Sequence, residues 1–199
     1  MKVNATRPYT MRARAEAAQA TAKRILDAAL EAFGSSAFSE VTLQEIADRA
    51  GVTVQTIIRR FGSKDGLFDE VADRERSRVQ DRREVPAGAS LRRKVEVLVE
   101  HYEEDGDTVW RLIQEEDRSS RVARVVAEGR ELHRSWVETH LAELADSLRG
   151  AEYRSHVDAA VAATDLFTWR LLRCDLGRDK EEVVDVMVRM LEGLGRGTR

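Results

Sequence analysis

The stretch Thr42-Leu43-Gln44-Glu45-Ile46-Ala47-Asp48-Arg49-Ala50-Gly51-Val52-Thr53, continued by Val54-Gln55-Thr56-Ile57-Ile58-Arg59-Arg60-Phe61, decides the fold. Thr42 and Glu45 form a capping box, hydroxyl to one orphan amide and carboxylate back to the other, and so open a helix. Leu43, Ile46, Ala47 and Ala50 recur on one face of it. Gly51 stops it, at the position that tolerates positive φ. Thr53 then caps a second short helix, Val54 to Phe61. A small residue at 47 lets the two helices touch, a glycine at 51 makes the sharp turn, and Ile57 fills the space ten positions after the small residue. This is the spacing of a helix-turn-helix, whose second helix enters the major groove with its N-terminal residues at base edges.

Outward on the N-terminal side, Ala17 to Phe33 carries apolar residues at helical spacing (Ile25, Leu26, Ala29, Leu30, Phe33), and Gly34-Ser35-Ser36 ends that helix. On the C-terminal side Ser63 caps a fourth helix with Leu67, Phe68 and Val71 inward. Stacked, the helices are expected to bury Ile25, Phe33, Leu43, Ile46, Ile57 and Phe61 together. A mixed-charge run from Arg74 to Glu84 leads to Pro86-Ala87-Gly88-Ala89, the best break in the chain. Beyond it the spacing predicts a helix from Ser90 to about Glu104, an interruption at Gly106, and a short helix around Trp110 and Ile113. A long helix from Ser119-Ser120 to about Leu148 follows, then a last pair, Tyr153–Leu176 and Lys180–Leu194. The fold class is all-α: a basic tail (1–16), a helix-turn-helix head (17–72), a connecting helix end and linker (73–89), and a larger helical bundle (90–199).

Composition limits the chemistry. The 199 residues hold 2 prolines, 12 glycines and 1 cysteine, which suits long helices and leaves Cys174 without an intrachain partner. No apolar run spans a bilayer and no apolar leader opens the chain, so a cytoplasmic location is expected. The net charge of -3 hides a division: residues 1–64 carry ten basic groups against six acidic, while the rest carries twenty-three against thirty. A basic end on an acidic body points to a polyanion for the first third. The four basic residues before Glu16, with no acidic one among them, read as a solvated tail.

Residues Ile25 to Val71 resemble the DNA-binding domain of the TetR family of one-component regulators. Thr42 to Thr53 is similar to its second helix and turn, and Thr56-Ile57-Ile58-Arg59-Arg60-Phe61-Gly62-Ser63-Lys64-Asp65-Gly66-Leu67 to its recognition helix and the start of the fourth. The resemblance implies a homodimer whose last two helices build a four-helix interface, and a C-terminal effector pocket that controls operator binding. Two positions depart from the family: Ile58 stands where Tyr is usual, and Arg60 where His or Tyr is. Ile58 cannot donate to phosphate; Arg60 reaches it with a full charge.

Roles follow from side-chain chemistry. Thr53, Gln55, Thr56 and Arg59 form the polar face of the reading helix; Gln55 suits an adenine edge, Arg59 a guanine, Val54 a thymine methyl. Thr42, Arg60 and Lys64 are assigned to phosphates. For the effector, Tyr102, Trp110, Ile113, Trp136 and Trp169 are the apolar candidates, with His133, His140 and Arg170 as polar partners. For the dimer, the candidates include Val157, Val161, Thr164 and Phe167 on one helix and Val183, Met187, Met190 and Leu191 on the next. His133 and His140 lie seven apart with no third ligand beside them, so no metal is expected, and no cofactor. No nucleophile elbow, phosphate-cradling loop or His-Glu-x-x-His occurs, so no enzyme is expected. The expected function is a repressor responsive to a small molecule; the competing reading is a helical adaptor that uses the helix-turn-helix only for packing.

Overall fold

In the computed structural model, which describes residues 6–145 and 147–196, all regular structure is helical and the chain divides into two compact units, residues 1–75 and 76–199. The first is built from α1 (Thr6–Ser35), α2 (Leu43–Ala50), α3 (Val54–Phe61) and the beginning of α4 (Lys64–Arg82). Its core is Ile25, Ala29, Ala32, Phe33, Val41, Ile46, Ala47, Ile57, Leu67 and Phe68, all buried. Leu43 and Phe61, expected among them, are only half-buried. The turn follows the sequence logic closely: Gly51 has φ 63°, and the amide of Val52 donates back to Ala47 O at 3.0 Å. Phe33, Phe38 and Phe68 close the opposite side, with Phe68 edge-on to Phe33 (5.0 Å between centroids) and to Phe38 (4.9 Å).

The tail expected over 1–16 is not a separate element from residue 6 onward. Residues 6–16 extend α1, and only the first five lie outside the described residues. Pro8 sits in the first turn, where its missing amide costs no helical bond. After it, Arg12 and Glu16 pair one turn apart at 2.9 Å and alanine is frequent, so nothing in the stretch opposes helix.

The second unit takes the rest of α4 with α5 (Leu91–Glu115), α6 (Ser120–His140), α7 (Gly150–Thr164), α8 (Leu166–Arg170) and α9 (Lys180–Arg196). Three expectations are corrected here. Gly106 does not interrupt: α5 runs through it, because a Cβ at 106 would stand 2.7 Å from Trp169 Cζ3. Glycine serves there as the small residue at a crossing. The helix from Ser120 ends at His140 and continues only as a single 3₁₀ turn, Ala142–Leu144. The penultimate helix is not continuous to Leu176. Asp165 is extended (ψ 156°), its carboxylate accepts from the Phe167 amide at 2.9 Å, and the chain restarts as α8 before a π turn over Leu171–Asp175. An aspartate that caps so readily ends one helix to begin another. Asp179 and Glu182 open α9 by a reciprocal capping box, at 3.0 and 2.9 Å.

The mixed-charge run past Asp73 is helical and paired: Arg78 meets Asp105 at 2.8 Å, and Arg82 reaches Asp105 and Glu104. Deeper in the unit lies a polar cluster that the apolar periodicities do not show. Arg83, His101, His133 and Thr164 are buried beside Tyr102. The Tyr102 hydroxyl donates to Thr164 O at 3.0 Å, and His133 Nε2 lies 3.2 Å from Thr164 Oγ1. Burial, and then the charge of Arg83, push His133 down to about 4. Burial alone would raise Asp105, but His101 and Arg78 beside it hold it down at about 2.

Two expectations follow. A Cβ on Gly66 would sit 2.2 Å from the backbone oxygen of Phe61, whereas Gly129, within α6, has open space around it. Gly66→Ala is therefore expected to lower unfolding free energy by about 2 kcal/mol, and Gly129→Ala to raise it by about 0.5–1 kcal/mol; denaturant titration measures both. His133 binds a proton far more readily unfolded than folded, so its contribution to stability is complete above its unfolded pKa and falls as the pH drops from about 6.5 to about 4. Replacing it, His133→Gln, should remove up to about 3 kcal/mol of the pH dependence of stability across that window and leave the slope below pH 4 unchanged.

Candidate nucleic-acid interface

The reading helix is anchored from behind. Ile57 is completely buried, while Gln55, Arg59 and Arg60 are exposed and Ile58 is 39% exposed. An eight-residue helix has room for little else: one face must hold the head together, and the other carries the polar residues outward. Thr53 Oγ1 accepts from the Thr56 amide at 3.2 Å and lies 3.0 Å from Thr56 Oγ1. That pair closes the N-terminal turn, so Thr53 and Thr56 are partly committed to the helix start. Val54 is half-buried at the same end.

Thr42 occupies the equivalent place on α2, its hydroxyl accepting from the Glu45 amide at 3.1 Å, and it stays exposed. Arg59 and Arg60 line a groove with Thr56 and with Ala17, Ala18 and Thr21 of α1. The small residues of α1 leave that groove open next to two guanidinium groups. Two arginines beside open space suit the approach of a phosphate backbone.

Lys64 has a different place from the one its charge suggested. Its Nζ donates to Phe38 O at 2.8 Å and Val41 O at 3.0 Å and rests 4.6 Å from the centroid of the Phe38 ring. Two of its three N–H groups therefore tie the α1–α2 connection to the start of α4. Sequence periodicity gave no sign of this, since both acceptors are backbone carbonyls more than twenty residues away.

Most of the effector candidates are already packed and bonded within the second unit. Tyr102, Trp136 and Trp169 are buried in the core of the second unit, and their polar atoms are already bonded: Tyr102 to Thr164 O, Trp136 Nε1 to Arg83 O at 2.8 Å, Trp169 Nε1 to Glu103 at 2.9 Å. Trp110 stacks edge-on against Phe167 (5.3 Å) with the Arg170 guanidinium over it at 4.4 Å. His140 stays half-buried against Trp136, and Ile113 is half-buried at the edge of the core.

Among the dimer candidates, Val157, Thr164, Val183, Met187 and Leu191 are buried within a single chain, so their burial requires no second copy. Val161 is half-buried. Phe167 and Met190 remain 50% and 44% exposed, as does Leu171 (50%), which belongs to the same expected interface stripe; Leu176 (53%) is exposed too, and the helical stripes did not single it out. The residue that sequence reasoning missed is Arg83, hidden in a charged run whose neighbours are solvated. Among the described residues no three His, Cys, Asp or Glu side chains are grouped to hold a metal, and no helix is long and apolar enough to cross a membrane.

Comparison with known proteins agrees with this geometry. Residues 25–71 match the family model of bacterial regulatory proteins, tetR family. A transcriptional regulator from Rhodococcus sp. Rha1 is similar in structure at TM-score 0.67 and 15% identity, over 88% of this chain and 96% of that one. A tetR-family transcriptional regulator from Streptomyces coelicolor aligns at TM-score 0.64 and 20% identity, over 87% and 80%. Salmonella enterica GusR aligns at 0.65 and 20%, over 88% and 95%. The chain matches no curated protein in sequence. Residues 25–71 are thus similar to the N-terminal unit of bacterial regulatory proteins of the tetR family, and the chain that carries them has an all-helical fold like that of these solved regulators.

Proposed function

We propose that this chain is an operator-binding repressor, active as a homodimer and released or engaged by a small molecule held in its second unit. The observation that carries the reading is the division of α3, with Ile57 sealed in the core and Gln55, Arg59 and Arg60 facing outward. A helix kept only for packing has no need of an exposed row of amide and guanidinium groups. Gln55 pairs with an adenine edge and Arg59 with a guanine, Val54 meets a thymine methyl, and Arg60 and Thr42 hold the phosphates on either side. Lys64 keeps a single N–H for phosphate beyond its bonds to Phe38 and Val41.

One head makes too few contacts for useful discrimination, so two heads read half-sites about one helical turn apart, or a multiple of it. The surface that joins them includes Phe167, Leu171, Leu176 and Met190, the large apolar side chains left exposed on the last elements. Isolated exposed apolar side chains are ordinary; four large ones between residues 167 and 190 of one chain are best covered by a second copy. The effector acts through α4, which runs without interruption from Lys64 in the head to Arg82 in the second unit.

Selection, binding, melting and sedimentation measurements decide among these roles. Selection of bound duplexes from a random pool supplies the site. On that site Gln55→Ala should relax one base-pair preference by about 1–3 kcal/mol, while Arg60→Ala weakens every sequence alike and lowers the salt slope by about one unit. Lys64→Ala should lower Tm, which Arg60→Ala should not, because only Lys64 is bonded into the fold. An absence of salt-dependent duplex binding by the wild type would favour the adaptor reading instead. Leu171→Glu combined with Met190→Glu should leave the far-ultraviolet spectrum intact and shift sedimentation to the monomer, weakening duplex binding with it.

A further inference from the structure

The second unit contains a buried guanidinium with no counter-charge. Arg83 is 5% exposed, and among the described residues no carboxylate lies within ion-pair distance of it. Its neighbours Arg78 and Arg82, by contrast, both reach Asp105. What Arg83 does touch is the face of Tyr102, with Cζ 5.3 Å from the ring centroid. Three of the four buried side-chain polar atoms that lack a hydrogen-bond partner among the described residues belong to this one neighbourhood: Arg83 Nε, His101 Nδ1 and His133 Nδ1. His101 Nδ1 lies 3.2 Å from Asp105 Oδ2, so of the three it is the one with a carboxylate beside it.

Four elements converge there. Arg83 closes α4, its amide donating to Val79 O; His101 and Tyr102 come from α5, His133 and Trp136 from α6, and Thr164 from the end of α7. Trp136 Nε1 donates to Arg83 O at 2.8 Å and fixes the backbone from which the guanidinium projects. A buried charge without a partner is among the least favourable arrangements in a protein interior, and a cation–π contact offsets only part of its cost. An orphaned guanidinium donor held in place by a rigid framework is what an anionic ligand completes.

We propose that Arg83 receives the carboxylate of a small monoanionic organic ligand inside the second unit, with Tyr102 and His133 beside it. The planar fork of a guanidinium matches two carboxylate oxygens. Charge sets the valence: burial keeps His133 and His101 neutral at pH 7, leaving one positive group to be balanced. A dianion such as phosphate would enter with one charge uncompensated. Arg83 also stands at the end of the helix that begins in the head, so occupancy bears on α4 directly. The inference rests on the regulator reading for its consequence, but not for the binding itself.

The test uses the full chain without DNA and follows Tm against benzoate, phenylacetate and hexanoate, with benzamide, hexanamide and inorganic phosphate alongside. At saturating ligand at least one carboxylate should raise Tm by about 3–8 °C, with no rise from the amides or from phosphate. Arg83→Met should abolish the rise and, unliganded, melt no lower than the wild type, since it removes an unpaired buried charge. Arg83→Lys, which keeps the charge and loses the fork, should bind at least tenfold more weakly. The proposal is overturned if none of the three carboxylates moves the wild type, if the amides act equally, or if Arg83→Met responds as the wild type does. A carboxylate response in a chain that fails to bind duplex DNA would leave this site standing and remove the repressor reading.

Discussion

The contact on which the head depends is the corner between α2 and α3, where Ala47 and Ile57 are both completely buried and Gly51 turns the chain in the left-handed region. With a larger side chain at 47 the helices could not approach; with any Cβ at 51 the turn would be strained. Once that corner is set, the phase of α3 is fixed. Ile57 points inward, so Gln55 and Arg59, two positions before and after it on an α-helix, must point away. The exposure of the polar face is therefore a consequence of packing and not a separate design.

This explains why the head was legible from sequence. Capping residues, a turn glycine and apolar spacing are short-range signals, and every cap acts three residues from where it stands: Thr42 on Glu45, Thr53 on Thr56, Ser63 on Gly66. The second unit was legible only in outline. Gly106 is a helix breaker by propensity, but here it is overruled by Trp169, sixty-three positions away, whose ring occupies the space a side chain would need. Asp165 divides a helix that periodicity alone would continue, because a capped restart satisfies the Phe167 amide. In each case the deciding partner is distant or conformational, and no window of sequence contains it.

The same distinction governs the side chains assigned to sites. Gln55, Arg59 and Arg60 could be placed because their function is to be exposed, and exposure follows from helix phase. Lys64 could not, since its acceptors are the backbone carbonyls of residues 38 and 41. The aromatic candidates were chosen for size, and size places them in the core; Tyr102, Trp136 and Trp169 then found acceptors among chain groups, as buried hydroxyl and indole donors must.

Arg83 shows the limit from the other side. Read in sequence, Asp81-Arg82-Arg83-Glu84 is a solvated run of alternating charge, and three of its members behave as such. The fourth turns inward because α4 ends there: Trp136 takes the last carbonyl, and the next residue but one, Val85, is itself buried. A chain entering the core at that point must carry Arg83 with it. The guanidinium is then held in the interior by the backbone, not drawn there by a partner, and the cost is sustained by the apolar core of the same unit, to which Val95, Leu98, Val99 and Met187 belong. Selection for stability alone would favour methionine or leucine at such a position. That the position holds a charge is the physical reason to look for an anion.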